Sequence, residues 1–255
     1  MKGWVWLLEG TGGATRDDDD DLIVALLTAG FGVAQFHPRG SGFSEGPRGD
    51  VDDFQKIHDD FDLFAHFLDD AAAGAPVFLL GQSAGGALAL DVMRRAPAPF
   101  AGVVLLNPAY KYTDTMGPSF VDVVTFGFNA VFRSSALTVD MMAGADRLDG
   151  EDRAEVMARQ ADPTVVRYFS LRYLQGLGAS LERAPDNAAA ATLPLLLVYG
   201  ERDVIIDHSG SRELFALWAH ADKQLVALPE AGHGASANRA AQPAISAFLR
   251  RHAAP

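Results

Sequence analysis

Short apolar runs alternate with longer amphipathic stretches over most of this chain, and this alternation constrains the fold more than any other feature. The apolar runs have the length and composition of buried strands: Trp4–Leu8, Gly32–Phe36, Pro76–Leu80, Gly102–Leu106, Leu195–Tyr199 and Gln224–Leu228. The stretches between them have the composition or spacing of helices: Asp17–Ala29, Asp50–Ala71, Ala84–Arg95, Ser209–Ala219 and Ala240–Arg251. Strands that alternate with helices pair in parallel and have helices on both faces. The sequence therefore predicts an α/β protein with a six-stranded, mostly parallel sheet.

One long stretch, Tyr110 to Leu193, interrupts the alternation because it contains no clear strand. A structureless loop of that length does not fit inside a compact domain. Helical patterns over Glu151–Gln160 and Thr164–Leu177 indicate instead an inserted helical cap, or lid. We therefore expect an α/β core made of residues 1–109 and 194–255 and a cap segment made of residues 110–193.

Composition excludes several classes of partner and site. Lys and Arg number 21 and Asp and Glu number 33, so the net charge is −12. So acidic a surface repels nucleic acid and anionic membranes, and neither is expected as a partner. The absence of cysteine excludes disulfides, thiolate-bound metals and a cysteine nucleophile. Because no apolar run has the roughly 20 residues of a membrane span, and Trp4–Leu8 is too short for a signal peptide, we expect a soluble, cytoplasmic protein without stable membrane insertion.

The most informative local motif is Gly81-Gln82-Ser83-Ala84-Gly85-Gly86, which lies between an apolar run and a predicted helix. It has the pattern G-x-S-x-G, in which small residues around the serine allow a sharp turn from strand to helix. Such a turn exposes the serine hydroxyl at the N-terminus of the helix, where backbone N–H groups stabilise negative charge. The pattern by itself is common, but its position between strand and helix predicts that Ser83 is a catalytic nucleophile.

A serine nucleophile needs a base, and the base needs an acid that orients it. Asp203 and His233 each follow directly after a predicted strand. The carboxyl ends of parallel strands meet at one edge of the sheet, which is where open α/β sheets place their sites. The chain order Ser83, Asp203, His233 therefore predicts a nucleophile, its orienting acid and its base.

Three other features have two interpretations each. Asp207 competes with Asp203 as the acid, although it is also placed to cap the helix that begins near His208. His37 follows a strand and either lines the pocket or only forms hydrogen bonds within its loop. The acidic run Asp17–Asp21 suits a cation site or, as we favour, the positive end of a helix dipole.

An oxyanion hole completes a site of this kind. One donor is expected to be the backbone N–H of Ala84, the residue after the nucleophile. The second is expected from the loop Gly10–Gly13, and we name the N–H of Thr11.

Substrate contacts are expected from residues beside these donors and from the cap segment. We name Glu9, Gly10, Gln82 and Phe126. Phe126 lies in the apolar segment Phe120–Phe132, which either packs within the cap or lines a pocket for an apolar substrate.

Because it contains these motifs, the chain resembles the α/β-hydrolase superfamily and, within it, the monoacylglycerol lipase and lysophospholipase branch of serine esterases. The resemblance covers most of the chain. It implies that Ser83 is the nucleophile, Asp203 the acid and His233 the base, and that acyl esters of glycerol or other alcohols are hydrolysed without a cofactor or metal. Its markers are His37–Gly49, Asp52-Asp53-Phe54, Asp60, Gly81–Gly86, Asn107-Pro108, Ala161-Asp162-Pro163, Gly200–Asp203 and Gly232-His233.

The chain departs from the family pattern in two places. Where the family usually has His-Gly at the oxyanion loop, this chain has Glu9-Gly10, and a carboxylate there is expected to lower activity or change the substrate preference. The chain also begins at what the family would have as its third strand, so we expect it to lack the first two family strands. The edge of the sheet is then expected at Gly32–Phe36, open to pairing or to a covering partner.

Together these features predict a serine carboxylic ester hydrolase that cleaves a small-molecule ester or lipid through an acyl-enzyme on Ser83. Thioesterase, acyltransferase and peptidase reactions use the same groups and stay open as alternatives. Hydrolases with an aspartate nucleophile are excluded by Ser83. A non-catalytic binding protein with this fold is a further alternative, supported only by Glu9 and the absent strands.

Overall fold

The computed structural model describes residues 1–12, 20–96, 100–113, 135–141 and 147–253. Strands and helices alternate over most of this length, as the sequence predicts. The strands are β1 (Trp4–Leu8), β2 (Gly32–Gln35), β3 (Val77–Gln82), β4 (Phe100–Leu106), β5 (Leu137–Asp140), β6 (Tyr168–Ser170), β7 (Leu195–Gly200) and β8 (Lys223–Leu228). The helices are α1 (Asp21–Ala29), α2 (Gln55–Ala72), α3 (Ala84–Arg95), α4 (Gly150–Gln160), α5 (Leu171–Ala189), α6 (His208–Leu217) and α7 (Ala235–Ala253).

Six strands form one parallel sheet in the order β2-β1-β3-β4-β7-β8. The order confirms the predicted parallel sheet and places β2 at one edge, as expected. The ends of neighbouring strands are in register, with Leu8 opposite Gly81 and Leu106 opposite both Gln82 and Val198. The loops that leave β1, β3, β4 and β7 therefore start at the same edge of the sheet.

Apolar side chains on both faces of the sheet form two core layers. In β3, Leu79 points into the layer shared with α2, α3 and α5, whereas Phe78 points into the layer shared with α1 and α7. Trp6 is fully buried in the first layer, where its ring lies 4.9 Å from that of Phe64 and 6.0 Å from that of Phe61. Strands buried on both faces have continuous apolar sequences, which is why they were readable as short apolar runs.

The first helix begins later than predicted. Asp20 has an extended backbone and caps α1, since its carboxylate accepts hydrogen bonds from the N–H groups of Leu22 (2.9 Å) and Ile23 (3.3 Å). Of the acidic run, Asp17–Asp19 lies outside the described residues. Helix α2 also begins later than predicted, and α7 begins earlier.

The cap segment contains strands, so the prediction that it has none is wrong. β5 pairs with β6 in antiparallel fashion, with Val139 opposite Phe169. Because the two strands are short and distant in sequence, no local pattern revealed them. Helix α4 confirms the predicted helix Glu151–Gln160, whereas the helix predicted over Thr164–Leu177 is Leu171–Ala189. Phe120–Phe132 lies outside the described residues.

Helix α5 packs against α3 of the core. Asp91 of α3 is buried and accepts hydrogen bonds from Arg183 Nη2 (2.7 Å) and Asn187 Nδ2 (2.9 Å) of α5. The division into core and cap at residues 110 and 193 stays a prediction. In the part of the chain that the structure describes, no helix is long and apolar enough to cross a membrane.

Candidate active site

Ser83 occupies a strained turn between β3 and α3. Its φ of +53° and ψ of −126° are costly for a residue with a side chain. Hydrogen bonds hold the turn, because the Ser83 N–H donates to the Leu106 carbonyl (3.0 Å) and the Ser83 carbonyl accepts from the N–H groups of Gly86 and Ala109 (both 2.9 Å). The backbone thus fixes the position from which the hydroxyl projects.

The two outer glycines of the motif allow close backbone packing around this turn. A Cβ on Gly81 would lie 2.5 Å from the Gly85 carbonyl oxygen, and a Cβ on Gly85 would lie 2.5 Å from the Glu9 carbonyl oxygen. The end of β1 is therefore pressed against the N-terminus of α3. Gly10 is close to the serine itself, since a Cβ there would lie 3.1 Å from Ser83 Cβ.

The structure brings Ser83, Asp203 and His233 together in one hydrogen-bonded row. His233 Nε2 lies 3.1 Å from Ser83 Oγ, and His233 Nδ1 lies 2.6 Å from Asp203 Oδ2. The other oxygen of Asp203 accepts hydrogen bonds from the N–H groups of Ile205 (2.8 Å) and Ile206 (2.9 Å), which fix the carboxylate. This is the geometry of a nucleophile, a base and an orienting acid.

Asp207, the alternative acid, lies at the start of α6. Its carboxylate accepts hydrogen bonds from the Ser209 N–H (2.8 Å) and the Ser209 hydroxyl (2.7 Å). The interpretation of Asp207 as a helix cap is confirmed.

The electrostatic surroundings strengthen His233 as a base. Burial by itself lowers the pKa of His233, but the charge and hydrogen bond of Asp203 raise it. The charges of Asp152 and Glu155 raise it further, and the pKa is above its ordinary value. A more basic imidazole accepts the proton of a serine hydroxyl more readily.

Asn107 ties together the loops that carry Asp203 and His233. Its side chain is buried, its Oδ1 accepts a hydrogen bond from the Gly200 N–H (2.8 Å), and its Nδ2 donates to the Gly232 carbonyl (3.0 Å). The motif Asn107-Pro108 was visible in the sequence as a family marker, but no local pattern indicated this bridging role.

An apolar cavity lies beside the row. Gly10, Thr11 and Ala84, which include both residues named for the oxyanion hole, line it together with Glu9 and His37. Its apolar wall comes from β1, α2, α3, β6 and α5 and consists of Trp6, Leu7, Leu8, Phe61, Leu88, Phe169, Tyr173 and Leu177. The cavity encloses about 40 Å³, so its lining suits a short apolar group.

The other residues predicted to contact the substrate or line its pocket differ in where they lie. Gln82 is buried at the end of β3 and does not line this cavity in the described part of the chain, and Phe126 lies outside the described residues. His37 does both things that the sequence left open, because it lines the cavity and its Nδ1 accepts a hydrogen bond from the Phe43 N–H (3.2 Å). Burial, together with the charge of Arg48, lowers the pKa of His37.

Glu9 pairs with a cation from the cap segment. Its carboxylate lies 3.4 Å from Arg159 Nη2 of α4, and only 11% of the Glu9 side chain is exposed. Arg159 also lies 3.7 Å from Glu155 on its own helix. The departure from the family pattern at this position is thus accompanied by a partner that sequence reasoning missed, because the pair is 150 residues apart.

Residues 1–238 match the family described as serine aminopeptidase, S33. The chain belongs to this family. The chain is 31% identical over 214 residues to the monoacylglycerol lipase of Mycolicibacterium smegmatis. This alignment covers 80% of the chain and 72% of that enzyme. It is 30% identical over 191 residues to human monoglyceride lipase, covering 73% of this chain and 60% of the human enzyme, so it spans less than two thirds of that relative.

A solved structure supports the same relationship. The structure is similar to that of the monoacylglycerol lipase of Paleococcus ferrophilus, with a TM-score of 0.80, 28% identity, and coverage of 98% of this chain and 95% of that one. The α/β-hydrolase fold and the monoacylglycerol lipase-like resemblance are confirmed. This S33 family member is a serine hydrolase of the carboxylesterase and lipase type.

Proposed function

We propose that the chain hydrolyses monoacylglycerols and related acyl esters through an acyl-enzyme formed on Ser83. The observation that carries the proposal is the 3.1 Å contact between Ser83 Oγ and His233 Nε2, next to an apolar cavity that Gly10 and Ala84 line. The names of the relatives support the acyl-glycerol substrate.

In the first half of the reaction, Ser83 Oγ attacks the ester carbonyl while His233 Nε2 accepts the hydroxyl proton. Asp203 holds the imidazole through Nδ1, so that Nε2 is free of its proton and faces the serine. The imidazolium that forms is stabilised by the carboxylate of Asp203.

The carbonyl oxygen becomes an oxyanion during the attack, and backbone N–H groups are the donors suited to it. We assign this role to Ala84, at the N-terminus of α3, and to Thr11, in the loop that Gly10 brings against Ser83. His233 then protonates the departing alcohol. In the second half, water attacks the acyl-enzyme with His233 as its base, which releases the fatty acid and restores Ser83.

Burial of the acyl chain in the apolar cavity favours fatty esters over acetate. Each methylene group that leaves water contributes about 0.8 kcal/mol. Activity should therefore rise with chain length until the cavity is filled.

The test is a p-nitrophenyl ester series from acetate to palmitate beside 1-monoacylglycerols of the same lengths, with the unchanged chain and Ser83→Ala. We expect turnover that peaks at one chain length and falls at least about a thousandfold in Ser83→Ala. Full turnover by Ser83→Ala would exclude the proposed acyl-enzyme.

The family description names a peptidase, and the same catalytic groups serve amides and thioesters. The panel therefore includes alanine p-nitroanilide and an acyl-coenzyme A. Faster turnover of either than of every ester would replace the substrate assignment while leaving the roles of Ser83, Asp203 and His233 unchanged.

A further inference from the structure

A buried carboxylate of the cap segment lies against the loop that carries His233. Asp152 of α4 is only 6% exposed, and it accepts hydrogen bonds from the Ser236 N–H and the Ser236 hydroxyl, both at 2.8 Å. The Ser236 hydroxyl in turn accepts a hydrogen bond from the Gly232 N–H (2.8 Å). A continuous chain of hydrogen bonds thus runs from α4 to the residue before His233.

The residues on both sides of His233 leave room for the carboxylates of α4. A Cβ on Gly232 would collide with the carboxylate of Asp152, and a Cβ on Gly234 would lie 2.7 Å from Glu155 Oε2. Gly234 also has a φ of +121°, which side chains rarely allow. The loop is therefore built to be contacted closely by this face of α4.

We propose that Asp152 is a positioning residue for His233, which holds the histidine loop through Ser236 and stabilises the imidazolium by its negative charge. The proposal rests on the proposed function, because the imidazolium forms when His233 takes the proton of Ser83. It makes α4, a helix of the cap segment, part of the support of the base.

Other charged groups also face His233. Their charges determine how far the pKa of His233 changes when Asp152 is removed. Asp203 contacts the imidazole directly and Glu155 lies beside Gly234. The other charged residues that line the cleft on this side are Arg147, Asp149, Glu151, Arg202 and Glu230. Arg202 is paired with Glu230. The remaining carboxylates keep the pKa of His233 from falling back to that of an isolated buried histidine.

The sign of the pH effect follows from these charges. Asp152 raises the pKa of His233, so its removal lowers that pKa and moves the rise of kcat/KM to lower pH. The same removal takes a stabilising charge from the transition state, so kcat on the high-pH plateau falls. A lower plateau together with an earlier rise is a combination that a loss of folded protein does not produce.

A purely structural role is the alternative. The carboxylate of Asp152 lies against the first turn of α7. A carboxylate in that position stabilises the helix, because it interacts with the helix dipole and accepts hydrogen bonds from the N–H groups at the start of the helix. That role alone would lower the melting temperature of an Asp152 variant and leave the pH profile of the folded enzyme unchanged.

The experiment compares Asp152→Asn and Ser236→Ala with Glu151→Gln. Glu151 is in the same turn of α4 and also lines the cleft, but it pairs with Arg239. Its substitution therefore removes an equal charge without breaking a described hydrogen bond to the histidine loop. The hydrolysis rate of each variant is measured with p-nitrophenyl butyrate from pH 5 to pH 9. The rate is divided by the concentration of active sites, which is counted by fluorophosphonate labelling, and the melting temperature of each variant is measured as well.

We expect Asp152→Asn to lower the plateau kcat about tenfold, far less than the loss of a triad residue, and to shift the rise to lower pH. Ser236→Ala keeps the charge and loses the bridge, so it should lower the plateau without the shift. Glu151→Gln should match the unchanged chain. An Asp152→Asn enzyme with the plateau and profile of Glu151→Gln overturns the proposal, whatever its melting temperature.

A second readout does not depend on ester turnover. The imidazole of His233 is titrated by NMR in the unchanged chain and in Asp152→Asn, with His233→Asn used to assign its signals. A lower pKa in Asp152→Asn supports the proposal, and an equal pKa overturns it. If the unchanged chain hydrolyses no ester, the proposed function fails while this titration still decides the role of Asp152.

Discussion

The loops at the carboxyl edge of the sheet and the described part of the cap segment are held in place by different interactions. The loops begin and end on buried parallel strands, and backbone hydrogen bonds such as that from Ser83 N–H to Leu106 fix them. In the cap segment, α5 packs its apolar side chains into the first core layer, and charged side chains add further attachments. These attachments are Arg48 Nη2 to the Thr164 carbonyl (2.8 Å), Arg172 Nε to Asp50 (2.7 Å), Arg159 to Glu9 (3.4 Å) and Asp152 to Ser236 (2.8 Å).

Because of this difference, substitutions in the sheet and substitutions in the cap segment should have different consequences. Buried strands tolerate little change, because every substitution alters packing on two faces. Partly exposed ion pairs contribute about 1 kcal/mol or less each, and they weaken in salt. The sheet therefore sets the position of the row formed by Ser83, Asp203 and His233, and we propose that the contacts of the cap segment adjust how well that row works. Four predictions, each with its own control variant, test this comparison.

The largest expected effect is on activity at the sheet edge. Asp203→Asn should lower kcat about 10⁴-fold, because an amide no longer holds His233 with a free Nε2 toward Ser83. Asp207→Asn, four residues along, should leave kcat within about twofold and change stability by about 0.5 kcal/mol or less, because asparagine caps a helix about as well as aspartate. Steady-state kinetics and urea unfolding measure both, and a larger kinetic loss in Asp207→Asn would contradict the assignment.

The largest expected effect on stability is in the core. Trp6→Ala should lower the free energy of unfolding by about 3–5 kcal/mol, because it opens a cavity among Phe61 and Phe64. Leu63→Ala on the outer face of α2, where the side chain is 69% exposed, should change it by about 0.5 kcal/mol or less. Equal urea midpoints for the two variants would show that the core does not carry the stability.

The contact between α3 and α5 should make the stability of the protein sensitive to acid. Burial raises the pKa of Asp91, but hydrogen bonds from His58, Arg183 and Ser180 lower it more, to about 2. A folded-state pKa below the ordinary 3.8 stabilises the fold above pH 3.8, and this stabilisation is lost as the pH falls toward 2. It amounts to at most about 2 kcal/mol.

The matching measurement is the urea midpoint between pH 2 and pH 7 for the unchanged chain and Asp91→Asn. The variant should lose stability less steeply below pH 4. Asp59→Asn removes a carboxylate that is 60% exposed and should keep the original slope. A slope that is the same in all three proteins would place the acid sensitivity elsewhere.

The smallest expected effect lies where the cap segment meets the oxyanion loop. Arg159→Gln should lower kcat by about tenfold or less, because it leaves the charge of Glu9 less compensated beside the developing oxyanion. Adding Glu9→Gln should restore most of the loss, since the charge of Glu9 is then gone. Arg153→Gln, exposed on the same helix, serves as the control. Failure of the double variant to recover would mean that Arg159 acts through packing.

The sequence reveals most of the sheet and the catalytic row because both depend on local patterns. Buried strands appear as apolar runs, Ser83 has its glycine motif, and Asp203 and His233 follow strand ends. The parallel order of the sheet then brings these loops together.

What the sequence does not reveal depends on contacts between distant residues. The pairing of β5 with β6 joins strands about 30 residues apart, and neither strand is long enough to show alternation. Asp152 and Arg159 lie on a charged helix that reads as a solvated surface, because their partners Ser236 and Glu9 are 84 and 150 residues away. Only the folded chain shows that these charges face inward.

The pairing of β4 with β7 has a consequence for how such a chain diversifies. Val103 lies opposite Leu195 and Leu106 opposite Val198, so the backbone leaves the sheet after one strand and returns on its immediate neighbour. The entropic cost of closing such an excursion grows with the logarithm of its length, by about 0.6 kcal/mol for each doubling. Excursions of very different length and sequence can therefore be exchanged at this junction for little free energy. New substrate preferences can arise there while the hydrolytic chemistry is inherited intact.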